Sequence, residues 1–165
     1  MIGTARHLVE RFVGFLLARP PSPSEQRWVA EHLDPAAAAL FFAQRAEDQR
    51  HAIEVARLVA DDPALVEAAL LHDVGKADAA LGPVARALAT VLDALGVPLR
   101  GRWARYRAHG TLGAGRLAEV GASPLAVAFA AGHPGPCPDH VDPVAWARLA
   151  AADDGEIVGP ETAAR

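Results

Sequence analysis

A chain of 165 residues is the length of one domain and can bury a core without disulfides. Its 38 alanines, 52% hydrophobic content and 5% aromatic content point to a mostly helical globule and exclude a disordered chain. The single cysteine, Cys137, excludes an internal disulfide and a Cys-only zinc site, and a formal charge of −4 gives no global positive field for a nucleic-acid polymer or an anionic membrane.

The first predicted element covers residues 2–18, where Ile2, Ala5, Leu8, Val9, Phe12, Val13 and Leu16 recur at helical spacing. Arg6, Glu10 and Arg11 interrupt it, and its longest apolar run, 12–18, falls far short of a membrane span. An amphipathic helix is therefore expected in place of a signal or membrane-surface segment, and with it a cytoplasmic location. Residues 19–23 (Arg-Pro-Pro-Ser-Pro) form a stiff linker, after which helices are predicted near 24–33, 35–60, 63–76, 83–96, 102–120, 124–132 and 143–153. Asp34-Pro35, Asp62-Pro63, Ser123-Pro124 and Asp142-Pro143 each set a capping side chain before a proline, which suits N-cap followed by N1 because proline lacks only an N–H the helix would not use. Gly82-Pro83 is a further break, and residues 132–138 (Gly-His-Pro-Gly-Pro-Cys-Pro) cannot be regular structure. With no strand alternation and no repeat, the expected architecture is a single all-α domain over 1–165 with seven to eight helices. Residues 1–33 supply N-terminal helices and linker, 35–154 the core and 155–165 a tail.

The stretch 65–76 carries the chemistry. An apolar helix runs into His72-Asp73, placing two polar groups where core belongs, and an unpaired carboxylate there costs several kcal/mol. Either a divalent cation satisfies the pair, or Asp73 caps or pairs with Lys76 while His72 bonds a carbonyl. The other histidines weigh on that choice. His51 shares a face with Val55, Leu58 and Val59; His109 shares one with Tyr106, Leu112 and Gly113; His133 follows Leu125 and Phe129 at i+4 steps. From Trp146, Leu149, Ala150 and Asp153 fall on one stripe, so Asp153 faces the core and Asp154 is rotated away. Four buried histidines and two core-facing aspartates would each need a private partner, whereas one metal centre satisfies them together. Lys76 is the one lysine among 16 basic residues, so a compact ammonium is expected to be wanted there, facing a phosphate oxygen.

This ordered set, His51, then His72-Asp73, then Asp153, resembles the HD-domain superfamily of metal-dependent phosphohydrolases. The likeness spans about residues 45–154. Leu-Leu-His-Asp-Val-Gly-Lys at 70–76, His-Gly-Thr-Leu-Gly-Ala at 109–114, the His133 loop and Ala-Ala-Asp-Asp at 151–154 are similar to members that carry extra histidines and bind two metals. The chain departs from alarmone hydrolases in lacking Glu-Asp after the doublet, from cyclic-di-GMP phosphodiesterases in lacking Gly-Tyr-Pro, and from some members in having His133-Pro134 in place of His-His. The resemblance implies an HD-like bundle in which His51, His72, Asp73 and Asp153 hold a first metal, and His109 and His133 with a bridging Asp73 hold a second.

The mixed His/Asp donors suit one or two ions of Mn, Fe, Co, Ni or Zn better than Mg. Two such ions about 3.5–4 Å apart supply a nucleophile from water near neutral pH. The expected activity is hydrolysis of a small phosphorylated molecule, a nucleotide foremost, with Asp73 and Lys76 catalytic. Arg102 and Arg105, within the Arg100–Arg107 cluster, are candidates for substrate binding, against a solvated helix face. Two other readings stand beside this one: an HD-type di-iron oxygenase, and a non-catalytic metal-binding signalling module. His133, Cys137 and His140 form a further candidate zinc site, whereas His7 and His32 have no evident chemistry. Oligomeric state stays open, a homodimer included.

Overall fold

The cap-and-proline pairs act as expected in the structure, a computed structural model that describes residues 19–163. The predicted helix at 2–18 and His7 lie outside the described residues. Ahead of α1 (Pro23–His32), Ser22 and Glu25 form a reciprocal capping box. Asp62 accepts from the Ala64 N–H at the start of α4 (Pro63–Leu71), Ser123 from Ala126 at α8 (Pro124–Gly132), and Asp142 from Val144 at α9 (Pro143–Asp153). Asp34 precedes α2 (Pro35–Phe42) without a side-chain cap bond.

Three predicted helices are broken by contacts that the sequence pattern does not announce. The expected 35–60 helix divides into α2 and α3 (Ala46–Leu58). Between them the Gln49 amide donates to the Phe42 and Gln44 carbonyls at 3.1 and 2.8 Å, taking up acceptors at the end of α2. The expected 63–76 helix stops at Leu71, and a 3₁₀ helix, Val74–Ala79, follows the His-Asp pair. The expected 102–120 helix is α6 (Arg102–Arg107) and α7 (His109–Glu119), parted at Ala108. With α5 (Pro83–Ala94) between, and a short α10 (Pro160–Ala163) within the predicted tail, the described residues are all helix and connection, without strands.

At the centre lies α4, apolar apart from Glu67: Leu65, Val66, Ala68, Ala69, Leu70 and Leu71 are all buried. It packs against α1, α2, α3, α8 and α9, and Val29, Phe41, Ile53, Phe129 and Leu149 complete the core around it. A satellite cluster of Ala79, Leu81 and Ala89 with Trp103 and Tyr106 joins α5 and α6 to the 3₁₀ helix. No helix among the described residues is long and apolar enough to cross a membrane.

Candidate metal centre

The centre is built where α4 ends. His72 still has helical backbone angles, and its ring Nδ1 donates back to the Ala69 carbonyl at 2.8 Å. Asp73 leaves the helix at φ −108° and ψ 9°, and the 3₁₀ turn beyond it is pressed onto α7. That contact demands a glycine at 75, since a Cβ there would lie 1.9 Å from the His109 carbonyl oxygen. The close approach brings His109 to Asp73.

Three of the rings share one arrangement. His72, His109 and His133 each point Nδ1 at a carbonyl of their own helix or the preceding turn, namely Ala69, Tyr106 and Phe129, at 2.7–2.9 Å. A carbonyl can only accept, so in each ring when neutral Nδ1 holds the proton and Nε2 keeps its lone pair. All three Nε2 atoms face Asp73: His72 lies 3.3 Å from Oδ2, and His109 and His133 lie 3.6 Å from Oδ1. Asp153, the last residue of α9, sets Oδ1 2.9 Å from His51 Nε2 and 3.5 Å from His72 Nε2. Donor atoms fall within 4.8 Å of one another in three overlapping groups: His51, His72 and Asp73; His72, His133 and Asp153; and Asp73, His109 and His133. Three helices, α4, α8 and α9, thus deliver ligands from their C-terminal ends or the residue just beyond.

The bonds of the metal-free reading of the His-Asp pair are present, and they leave atoms over for a cation. Lys76 Nζ donates to Asp73 Oδ2 and His72 bonds a carbonyl, as the metal-free alternative requires. Those bonds use one atom of each side chain. His72 Nε2 and Asp73 Oδ1 stay buried without a hydrogen-bond partner, and apart from the Gln44 amide they are the buried side-chain atoms so placed among the described residues. An unsatisfied buried acceptor costs about 1–3 kcal/mol, more when charged, and a cation meeting both atoms would remove that cost. The donor set, four imidazoles and two carboxylates, fits a borderline transition metal.

The charged groups of the cluster act on one another. Burial alone would raise the Asp73 carboxyl, but His72 and the Lys76 ammonium beside it outweigh burial and hold the group well below the usual carboxylate range. Asp153 is likewise opposed by burial and brought to about 2, chiefly by His51. Burial lowers His109, leaving the ring neutral and able to ligate. His133 is raised against burial by the Asp73 carboxylate; at 3.6 Å this is ionic attraction without a hydrogen bond. Lys76 is raised because Asp73, and after it Asp48 and Tyr106, outweigh its desolvation.

No protein-family model matches this chain, and no curated protein or solved structure does so either. The assignment of the centre therefore rests on its own geometry.

The six predicted ligands come together, and Lys76 stands at their edge with its side chain 21% exposed. The two arginines are placed differently. Arg105 is exposed, and its Nε donates to the Asp78 carbonyl at 3.1 Å beside a groove shared with Thr111 and Arg116. Arg102 is exposed at the start of α6. Neither has a contact with the His/Asp cluster. The candidate zinc site of His133, Cys137 and His140 does not assemble: His133 turns to Asp73, Cys137 Sγ faces the Pro138 and Val141 carbonyls, and His140 is exposed. His32 bonds the Trp28 carbonyl and packs on the Trp28 ring.

Sequence reasoning missed the layer behind Lys76. Asp48, buried in the first turn of α3, grips Arg86 of α5 through both carboxylate oxygens, and Arg86 lies 5.8 Å from the Tyr106 ring centre. The available signal was Arg86 on the same face as Ala89, three residues on, the inner side of α5.

The phasing of α9 carries a test. Asp153 is half-buried against His51, whereas Asp154 is exposed as the C-cap residue. Asp153→Asn is expected to lower metal affinity by at least about tenfold, and Asp154→Asn to leave it within error, by competition with a chelating dye. Equal losses would mean that Asp153 is no ligand.

Proposed function

We propose that the chain is an HD-type metal-dependent phosphohydrolase that cleaves a small phosphorylated molecule, a nucleotide foremost, with Mn, Fe, Co, Ni or Zn as its metal. The observation that carries this reading is the shared carboxylate: one buried Asp73 turns Oδ2 to His72 and Oδ1 to His109 and His133, while His72 Nε2 and Asp73 Oδ1 stay unpaired. His51, His72, Asp73 and Asp153 form one half of the binding set, and His109 and His133 share Asp73 in the other. When bound, a pair of divalent cations supplies a nucleophile from water at neutral pH and offsets phosphoryl charge. Lys76 is tied to Asp73 yet partly open to solvent, so its ammonium can hold a phosphate oxygen without leaving its carboxylate. The lone thiol, Cys137, goes with a reducing, cytoplasmic setting.

Lys76 variants and metal analysis test the reading together. Gently purified protein is expected to hold about one to two equivalents of transition metal and to release phosphate from some member of a panel of nucleoside mono-, di- and triphosphates. Lys76→Ala is expected to keep that metal while kcat/KM falls by the equivalent of roughly 2–4 kcal/mol of transition-state stabilisation, and Lys76→Arg to recover only part of the loss. Unchanged turnover in both variants would remove Lys76 from the site. Metal well below about one equivalent would overturn the assignment, and oxygen consumption by iron-loaded protein without phosphate release would move it to the oxygen-dependent HD-type enzymes.

A further inference from the structure

Seven large hydrophobic side chains stand exposed among the described residues, and five of them, Val84, Leu88, Val91, Leu95 and Val97, belong to α5 and the turn that ends it. Their exposures run from 41% to 72%, so these side chains are largely in solvent. From Val84 the steps to Leu88, Val91 and Leu95 are four, three and four residues, the spacing of a heptad seam. The opposite face of α5 is already used: Arg86 and Ala89 are buried, and Ala89 packs with Leu81 beside Trp103 and Tyr106. The helix is docked by one side and presents a second apolar side outward.

What such a seam accepts is set by its borders. Ala85, Ala87, Leu92 and Ala94 flank it, so the rim holds no charge. The two charged residues of α5 are engaged elsewhere, Arg86 on Asp48 and Asp93 on Arg107 at 3.1 Å. A charged partner finds nothing to pair with here, whereas a second copy of the same seam meets no like-charge repulsion. The alanines let two helix axes approach to about 8 Å. The seam also complements itself on reversal. In an antiparallel pair Val84 faces the partner's Leu95 and Leu88 faces the partner's Val91, so each contact joins a small side chain to a large one.

We propose that the outer face of α5 is a self-association surface, pairing antiparallel with α5 of a second copy of this chain. One helix pair of this length stands near the lower limit of a specific interface, about 1,000 Å² in total, so association is concentration-dependent.

Analytical ultracentrifugation of the full chain over a range of concentrations tests this. The expected mass climbs from 17.2 kDa towards twice that value as concentration rises. Leu88→Glu is expected to stay monomeric throughout, with a melting temperature equal to that of dilute wild-type protein, since Leu88 is exposed in the single chain. Adding Val91→Lys is expected to restore the dimer, because antiparallel pairing sets the introduced glutamate of each chain against the introduced lysine of the other. Wild-type protein that stays monomeric at every concentration overturns the proposal. So does a lowered melting temperature in monomeric Leu88→Glu, which would mean that the seam is covered by a segment of its own chain. A double variant that stays monomeric while wild type dimerises overturns the antiparallel arrangement. None of these measurements depends on metal or substrate.

Discussion

Asp73→Asn is expected to weaken metal binding by more than about 100-fold, the upper end of what loss of an outer-shell partner costs elsewhere. The substitution keeps the shape of the side chain and removes what the site uses. A carboxylate offers lone pairs on both oxygens, and both oxygens of Asp73 have neighbours: Oδ2 bonds Lys76 and faces His72, and Oδ1 faces His109 and His133. An amide keeps one acceptor and turns two N–H donors towards the other face, where imidazole lone pairs would accept them and be lost as ligands. It also leaves the Lys76 ammonium without its counterion in a half-buried position. Titration with a metal-sensitive dye reads the affinity directly. Retention of wild-type affinity would show that Asp73 serves Lys76 alone, with the histidines gathered for another reason.

Gly75→Ala is expected to cost about 3 kcal/mol or more of stability, at the upper end of what overpacking brings, and to lower the melting temperature by about 6–12 °C. A Cβ at residue 75 would sit 1.9 Å from the His109 carbonyl oxygen and 2.7 Å from the Gly113 nitrogen, both backbone atoms that cannot swing aside. Relief requires the 3₁₀ helix and α7 to part, which carries His109 away from Asp73. The same variant should therefore lose the His109 and His133 half of the centre along with its stability. Gly115, on the same helix α7, is the control, because a Cβ there meets nothing within 4 Å. Gly115→Ala is expected to leave metal binding alone and to raise stability by about 0.5–1 kcal/mol through helix propensity. Calorimetry on both variants checks the contrast, and a benign Gly75→Ala would mean that the 3₁₀ helix and α7 are not held in tight contact.

Helix starts were legible because they are chemical and local. Asp62, Ser123 and Asp142 cap within three residues of themselves, Asp34 marks the start of α2 without a cap bond, and the adjoining proline fixes the backbone of the first turn. The breaks at 43–45, 72–73 and 108 were not, because no Gly or Pro marks them. They depend on a side chain bonding a carbonyl: the Gln49 amide at the first, the His72 ring at the second and the His109 ring at the third. The residues of the His/Asp cluster were legible as polar residues on apolar stripes, a conflict that something in the folded chain has to resolve. Arg86 was not, since one arginine among alanines reads as a surface residue until Asp48, 38 positions away, is seen to hold it. Arg102 and Arg105 are exposed on α6, where clustered charge reads equally as a substrate-binding site or a solvated helix face.

The ends of α4, α8 and α9 at the centre have a further effect through the backbone itself. A helix carries the equivalent of roughly half a negative charge at its C-terminus. Three such ends, offset by the N-terminal end of α7 at His109 and by one ammonium and added to two ionised carboxylates, give the centre a negative potential that does not depend on any single side chain. That potential draws a divalent cation inward and turns an anion away. On the proposed reading, a phosphate group would meet attraction at this centre only once a cation is bound, so the helix directions would favour cation first and substrate second.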